Sequence, residues 1–226
     1  MRRPEKIVEN VYIVGGSEIS HAYDCSIYLI DAGELVLVDA GAGLSAKRII
    51  ANIEQLGLNP ANLSTVVATH CHIDHVGALA ELKADRGLKV IAHELDAEAI
   101  ETGDGVLADL YGVAYRPVKV DRELQGETER LRFGKTDLLA IHIPGHTPGS
   151  IAITLDLPSG EKVLFGQDVH GPYNPAWGAD PQMARSSLEK LINLKADVLC
   201  EGHFGIFRPA EAVAKFIGQF LHDLEF

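Results

Sequence analysis

Apolar residues along the chain gather into short runs closed by glycine, proline or acidic turns, and several gaps between runs carry helical spacing instead. Residues 7–14 (IVENVYIV) read as a strand or tight hairpin, broken by Gly15-Gly16-Ser17. Cys25 to Ile30 is the next strand, Ala32-Gly33-Glu34 turns the chain, and Leu35 to Val38 returns to Asp39. Ser45 is placed to cap a helix to Leu56, with Ile49, Ile50, Ile53 and Leu56 as its apolar face and Gly57 as its stop. Val66-Val67-Ala68 is a strand, the run from Val76 to about Lys83 a helix, and Leu88 to Ala92 a strand. Helical stretches near 94–101 and 105–112 follow.

Arg116 to Phe133 predicts short strands around an exposed turn at Gln125-Gly126-Glu127. Leu138 to Ile143 is a strand, and Ser150 to Leu157 with Glu161 to Phe165 a hairpin around Pro158-Ser159-Gly160. Pro181 to Leu194 is a helix and Ala196 to Cys200 a strand. Pro209 opens a terminal helix that buries Ala212, Val213, Phe216, Ile217 and Phe220. Strands alternating with helices predict the α/β class. Ser26 to Asp39 and Ser150 to Asp168 both run strand, turn, strand, aspartate, a weak internal repeat consistent with two similar halves.

Composition narrows this. The chain has 226 residues, no low-complexity segment and no Pro/Ser-rich linker, which predicts one domain over residues 1–226. A net charge of −12 argues against a nucleic-acid or anionic-membrane partner. The start, Met1 to Lys6, lacks the apolar core of a signal peptide, and no apolar run is long enough to span a bilayer. Cys25, Cys71 and Cys200, odd in number and scattered, fit a reduced cytoplasmic setting. The expectation is a cytoplasmic protein acting on a small-molecule substrate, with a homo-oligomer left open.

The chemistry concentrates in Thr69-His70-Cys71-His72-Ile73-Asp74-His75-Val76-Gly77, where a strand ends and a helix opens. On extended backbone His70 and His72 point the same way, whereas Cys71 points away as a packing residue. Three further strand ends carry His146 within Pro144-Gly145-His146-Thr147-Pro148-Gly149, Asp168 after Gly166-Gln167, and His203 after Glu201-Gly202. Imidazole and carboxylate suit zinc, iron or manganese. Seven such side chains, His70, His72, Asp74, His75, His146, Asp168 and His203, can hold two ions with one carboxylate shared.

The sequence His-x-His-x-Asp-His, then Pro-Gly-His-Thr-Pro-Gly, an aspartate and Gly-His, resembles the metallo-β-lactamase-fold hydrolase superfamily over essentially the whole chain. The resemblance implies a four-layer αβ/βα sandwich with the metals at one edge between two sheets. It implies two divalent ions per chain, zinc first with iron or manganese as alternatives. His70, His72 and His146 would bind one ion, Asp74, His75 and His203 the other, and Asp168 would bridge them. Asp39 matches a buried aspartate of the family that supports a ligand histidine from behind, here expected to be His70 or His72. The implied activity is hydrolysis of a small thioester, lactone or related ester by a metal-bridging hydroxide, with Asp74 orienting the nucleophile or moving its proton.

Within the superfamily the motif is most similar to hydroxyacylglutathione hydrolase (glyoxalase II), because Asp74 and His75 are both present. Those enzymes extend into a C-terminal helical region with basic glutathione contacts, whereas this chain stops at Phe226, which points away from glutathione. Glu201 stands where related proteins often carry proline, an expected change in loop stiffness. The flavodiiron branch is disfavoured by His72, where it carries an acidic residue. Persulfide dioxygenases resemble the motif too, and His70, His146 and Asp168 would suffice for their single iron. A metal-holding protein without turnover is a third reading, disfavoured by the retained Asp74. Among the other histidines, His93 and His142 are expected to be structural or to support a ligand rather than to ligate, and His222 to be solvated, while His170 could reach the pocket. Tyr23, Tyr173 and Trp177 could line it or pack, and Arg185 and Lys190 read as a solvated helix face.

Overall fold

The structure is a computed structural model that describes residues 2–224. Among those residues the first sheet holds β1 (Glu5–Val8), β2 (Val11–Gly15), β3 (Ile27–Asp31), β4 (Leu35–Val38), β5 (Leu63–Val67), β6 (Lys89–His93) and β7 (Arg122–Leu124), paired in that order. The second is built from β8 (Thr128–Phe133), β9 (Thr136–His142), β10 (Ile151–Asp156), β11 (Lys162–Gln167), β12 (Val198–Glu201) and β13 (Ile206–Phe207), in the spatial order β13-β12-β11-β10-β9-β8. The helices are α1 (Ala46–Gln55), α2 (Ile73–Val76), α3 (Leu79–Arg86), α4 (Glu94–Thr102), α5 (Ala108–Tyr111), α6 (Pro181–Asn193) and α7 (Ala210–Asp223).

Strand alternation explains the layers. In β4, Leu35 and Leu37 face a cluster that includes Ile49 and Ile53 of α1, Leu79 and Leu82 of α3 and Ile100 of α4. Val36 and Val38 face the opposite way, onto Leu131, Leu138, Ile153 and Phe165 of the second sheet. The far side of that sheet, through Ile141, Ala152, Leu164 and Leu199, packs on Leu188 and Leu191 of α6 and on Val213, Phe216 and Ile217 of α7. Helix, sheet, sheet, helix is therefore the four-layer αβ/βα sandwich expected, and central strands buried on both faces account for the unbroken apolar runs. Leu37 and Leu164 have no exposure, so truncating either to alanine should cost about 2–5 kcal/mol. No helix among the described residues is long and apolar enough to cross a membrane.

The internal repeat is visible in the topology. β3–β4 and β10–β11 are antiparallel hairpins. The second strand of each then pairs parallel with the strand reached through a helix, β4 with β5 through α1 and β11 with β12 through α6. The loops after β4, β5, β11 and β12 thereby leave the sandwich at one end.

Local details depart from the sequence expectation. Residues 7–14 form the hairpin β1–β2. The helix expected from Val76 to about Lys83 is two helices, α2 and α3, joined at Gly77-Ala78. A Cβ on Gly77 would overlap the Ala42 carbonyl carbon, so glycine lets the loop after β4 press against α2. The segment 105–112 keeps only α5, because Leu107 sits at φ 61° and forces the turn out of helical geometry. Ser45 does occupy the N-cap of α1, but its hydroxyl donates to Asp24 (2.5 Å) and makes no capping bond.

Candidate metal centre

The loop after β5 stays extended through His72 (φ −65°, ψ 148°) and then enters α2, which carries Asp74 and His75. His146 sits in the turn between β9 and β10, Asp168 directly after β11, and His203 after β12. The donor atoms of His70, His72 and His146 lie within 4.8 Å of one another, and so do those of Asp74, His75, Asp168 and His203. Asp168 reaches both groups: its Oδ2 is 3.5 Å from His146 Nε2, 4.0 Å from His70 Nε2 and 3.4 Å from His203 Nε2. Its Oδ1 is 3.3 Å from His75 Nε2. Asp74 Oδ2 lies 3.1 Å from His203 Nε2 and 3.6 Å from His75 Nε2. All seven side chains singled out in the sequence thus converge.

Their polar atoms ask for a partner that protein does not supply. Nε2 of His72, His75 and His146 and Oδ1 of Asp168 are buried with no hydrogen-bond partner. Each such atom costs about 1–3 kcal/mol if left alone, and four at one spot with an N/O donor set fit divalent zinc, iron or manganese. Tautomers are set to match. His75 Nδ1 donates to Asp39 Oδ2 (2.8 Å) and His146 Nδ1 donates to the Pro172 carbonyl (3.1 Å), which leaves each Nε2 free to ligate.

Electrostatics divides the imidazoles. Burial, reinforced by neighbouring imidazoles, holds His70 well below the usual histidine range. Burial likewise brings His72 down to about 3 and lowers His146. For His75 and His203 burial pushes the same way but is outweighed. Cys25, Asp168, Asp39 and Asp74 raise His75, and Asp168 and Asp74 lift His203 to about 10. Asp74 and Asp168 remain ionised: burial opposes this, but His75 and His203 hold both below the usual carboxylate range. Two ionised carboxylates thus draw positive charge into a buried space, the electrostatic demand that a divalent cation meets.

Asp39 corrects one expectation. Its histidine partner is His75, not His70 or His72. Its Oδ1 accepts the Thr69 N–H (2.8 Å) and its Oδ2 accepts the Thr69 hydroxyl (2.8 Å), while that hydroxyl stands 3.2 Å from His70 Nδ1. Thr69 therefore separates Asp39 from His70, and α2 brings His75 over the carboxylate.

Two buried acids, Asp96 and Asp24, escaped the sequence reading, and a third, Glu201, was expected only to change loop stiffness. Asp96 accepts from the Cys71 N–H (2.9 Å), the Thr147 hydroxyl (2.7 Å) and the Gly149 N–H (2.7 Å), tying the His70/His72 loop to the His146 loop. Asp24 accepts from Ala42 N–H (2.9 Å) and from the Ser45 and Ser20 hydroxyls. Glu201 is wholly buried. Its Oε2 accepts the N–H groups of His203 (2.6 Å) and Phe204 (2.7 Å), and its Oε1 accepts from His170 Nδ1 (2.8 Å).

A cavity of about 320 Å³ opens over the cluster, bordered by His170 and Trp177 among others. Tyr173 packs instead, its hydroxyl donating to the Val169 carbonyl, and Tyr23 stacks edge-on against Tyr111, a residue of the cavity wall. His93 and His142 stack on each other 4.0 Å apart outside the cluster, in the structural role expected. Lys190 bonds to Glu127 (2.7 Å) on the surface, and Cys71 lies in the helix-side core. A larger cavity, about 450 Å³, lies between turns around Asp31, Arg130 and Asp156 and holds no histidine.

A family model described as the metallo-beta-lactamase superfamily matches residues 22–203. The chain is 31% identical over 150 residues to hydroxyacylglutathione hydrolase GloC of Haemophilus influenzae, covering 65% of this chain and 66% of that one. It is 32% identical over 174 residues to the hydroxyacylglutathione hydrolase of Xanthomonas euvesicatoria pv. vesicatoria, covering 76% and 56%. The matched region spans less than two thirds of either relative. Among solved structures, BJP-1, a subclass B3 metallo-beta-lactamase of Bradyrhizobium japonicum, superposes with a TM-score of 0.83 at 26% identity, covering 98% of this chain and 92% of that one.

Proposed function

The chain belongs to the metallo-beta-lactamase superfamily, and from that premise we propose that it is a binuclear metal-dependent hydrolase, zinc being the expected metal, that cleaves a small thioester, lactone or related ester. The observation that carries this reading is the position of Asp168, whose two oxygens approach His70 and His146 on one side and His75 and His203 on the other. His70, His72 and His146 would hold one ion, Asp74, His75 and His203 the second, and Asp168 both. Divalent metal at such a site supplies a water of lowered pKa and a Lewis acid for a carbonyl oxygen.

The remaining work falls to side chains of this chain. Asp74, ionised beside His203 and at the cavity wall, is the group that orients the attacking water and carries its proton toward the leaving group. Asp39 and the Pro172 carbonyl fix the tautomers of His75 and His146. Burial holds the Tyr111 phenol above its usual range, so it stays an O–H donor at the same wall.

Elemental analysis of protein purified without chelator, paired with a panel of thioesters, lactones and persulfides, tests the reading. The expected result is about two equivalents of metal per chain and ester or thioester cleavage that chelator abolishes. A single equivalent of iron with oxygen uptake on a persulfide would overturn it in favour of a dioxygenase that uses His70, His146 and Asp168.

A further inference from the structure

The cavity over the clustered side chains has two unlike walls. One is imidazole and carboxylate. The other is Leu107, Leu110 and Tyr111, in and beside α5, with Pro172 and Trp177 from the segment after β11. Leu110 is 58% exposed and Trp177 37%. Phe204, 60% exposed, stands against His170, a wall residue, with ring centroids 4.9 Å apart. Single exposed apolar residues are ordinary, but Leu110 and Trp177 in the wall of one concave site, with Phe204 packed behind its His170, mark where an apolar ligand part rests. Among the described residues no lysine or arginine lines this cavity. The net charge of −12 adds no field that would draw in an anion.

We propose that this site selects substrates that are uncharged beyond the reacting carbonyl, with apolar acyl or leaving groups, and discriminates against leaving groups that carry ionised carboxylates, glutathione among them. The inference rests on the reading of the cluster as an ester- or thioester-cleaving centre. Its physical basis is desolvation. A carboxylate brought against Leu110 or Trp177 loses water and finds no lysine or arginine on that side to replace it, so an anionic leaving group must stay in solvent and give up its contacts. An alkyl chain or a small neutral amide leaves the same wall better covered than water does. This separates the chain from the relatives named hydroxyacylglutathione hydrolases.

Two thioesters with the same acyl group test it on the metal-loaded protein: S-hexanoyl-N-acetylcysteamine, which is uncharged, and S-hexanoylglutathione, which is anionic. The expected kcat/KM favours the uncharged ester by about tenfold or more. In Leu110→Lys the ratio should shrink through a gain on the glutathione ester. Trp177 is the sole tryptophan, so its fluorescence reports occupancy without turnover. The uncleavable thioether S-hexyl-N-acetylcysteamine should perturb it at about tenfold lower concentration than S-hexylglutathione. Equal or reversed preference in either assay overturns the inference, as does a Trp177 signal that neither thioether moves. Discrimination between the thioethers with no cleavage of either ester would uphold the pocket's selectivity while sinking the hydrolase reading.

Discussion

Asp39→Asn separates the role of holding a ligand from the role of being one. In the native protein the carboxylate is an acceptor in every direction, toward the Thr69 N–H, the Thr69 hydroxyl and His75 Nδ1–H. An asparagine offers one oxygen and one NH2. If its oxygen keeps the Thr69 N–H, the NH2 faces His75 and forces Nδ1 to accept. The ring proton then moves to Nε2, the atom aimed at Asp168, and blocks it as a ligand. If the amide flips, the NH2 faces the Thr69 N–H and the loop loses its anchor. Either arrangement removes one charge-assisted contact, and losing such a support costs about 10–100-fold in metal affinity, or ~1.4–2.7 kcal/mol. Asp39 has φ 66°, a conformation asparagine tolerates, so the fold should survive with a fall in Tm of several degrees. Zinc release to a chromophoric chelator, followed alongside circular dichroism on heating, reads both effects. One equivalent should leave at about 10–100-fold lower chelator concentration, and the other as in the parent, because none of His70, His72 and His146 bonds to Asp39. A folded variant whose equivalents both leave at the parental concentration refutes the argument.

Asp168→Ala should lose both metals and all turnover, since its two oxygens approach both donor groups; retention of both equivalents by elemental analysis would show that the sharing is wrong. Metal affinity should climb with pH. His203, raised to about 10, holds a proton that an ion must displace, so chelator competition at about pH 6.5, 8 and 9.5 should give rising affinity, and a flat profile counts against this. The metal-free fold runs the other way: a folded pKa above the unfolded value of about 6.5 gives stability fully present below 6.5 and lost as pH rises through 10. Glu201→Gln removes one of the acceptor oxygens that serve His170, His203 and Phe204, and should cost about 1–3 kcal/mol in thermal or urea unfolding. An unchanged transition would mean that the carboxylate holds nothing.

The seven clustered side chains were legible because they follow apolar strands and two of them, His146 and His203, come directly after glycine, so chain order alone placed them at strand ends. The four layers were legible only through family resemblance, since unbroken apolar runs do not say which face meets a helix and which a second sheet. The acids that hold the loops left no such trace. Asp96 serves Cys71, Thr147 and Gly149, all distant in sequence, and within its own helix it looks like an ordinary acidic first turn. Glu201 stood out as a departure from proline, yet its effect is more than loop stiffness: it binds the loop of His203 to His170. The break between α2 and α3 depends on Ala42 across the loop, and no local pattern around Gly77 contains that information.

The internal repeat clarifies how one scaffold position yields two chemistries. Asp39 and Asp168 each end the second strand of a hairpin, so topology presents a carboxylate at the same place in each half. Their surroundings then diverge. Beside Asp39, the backbone and hydroxyl of Thr69 occupy its oxygens, and what remains turns a histidine toward the cluster. Beside Asp168 lies Gly202, where a Cβ would overlap the carboxylate oxygen, so the missing side chain leaves room for that oxygen to reach the imidazoles unpartnered. The glycine before His203 therefore has a spatial reason beyond its turn. Gly202→Ala should displace Asp168 and disturb both donor groups even though alanine adds no polar atom.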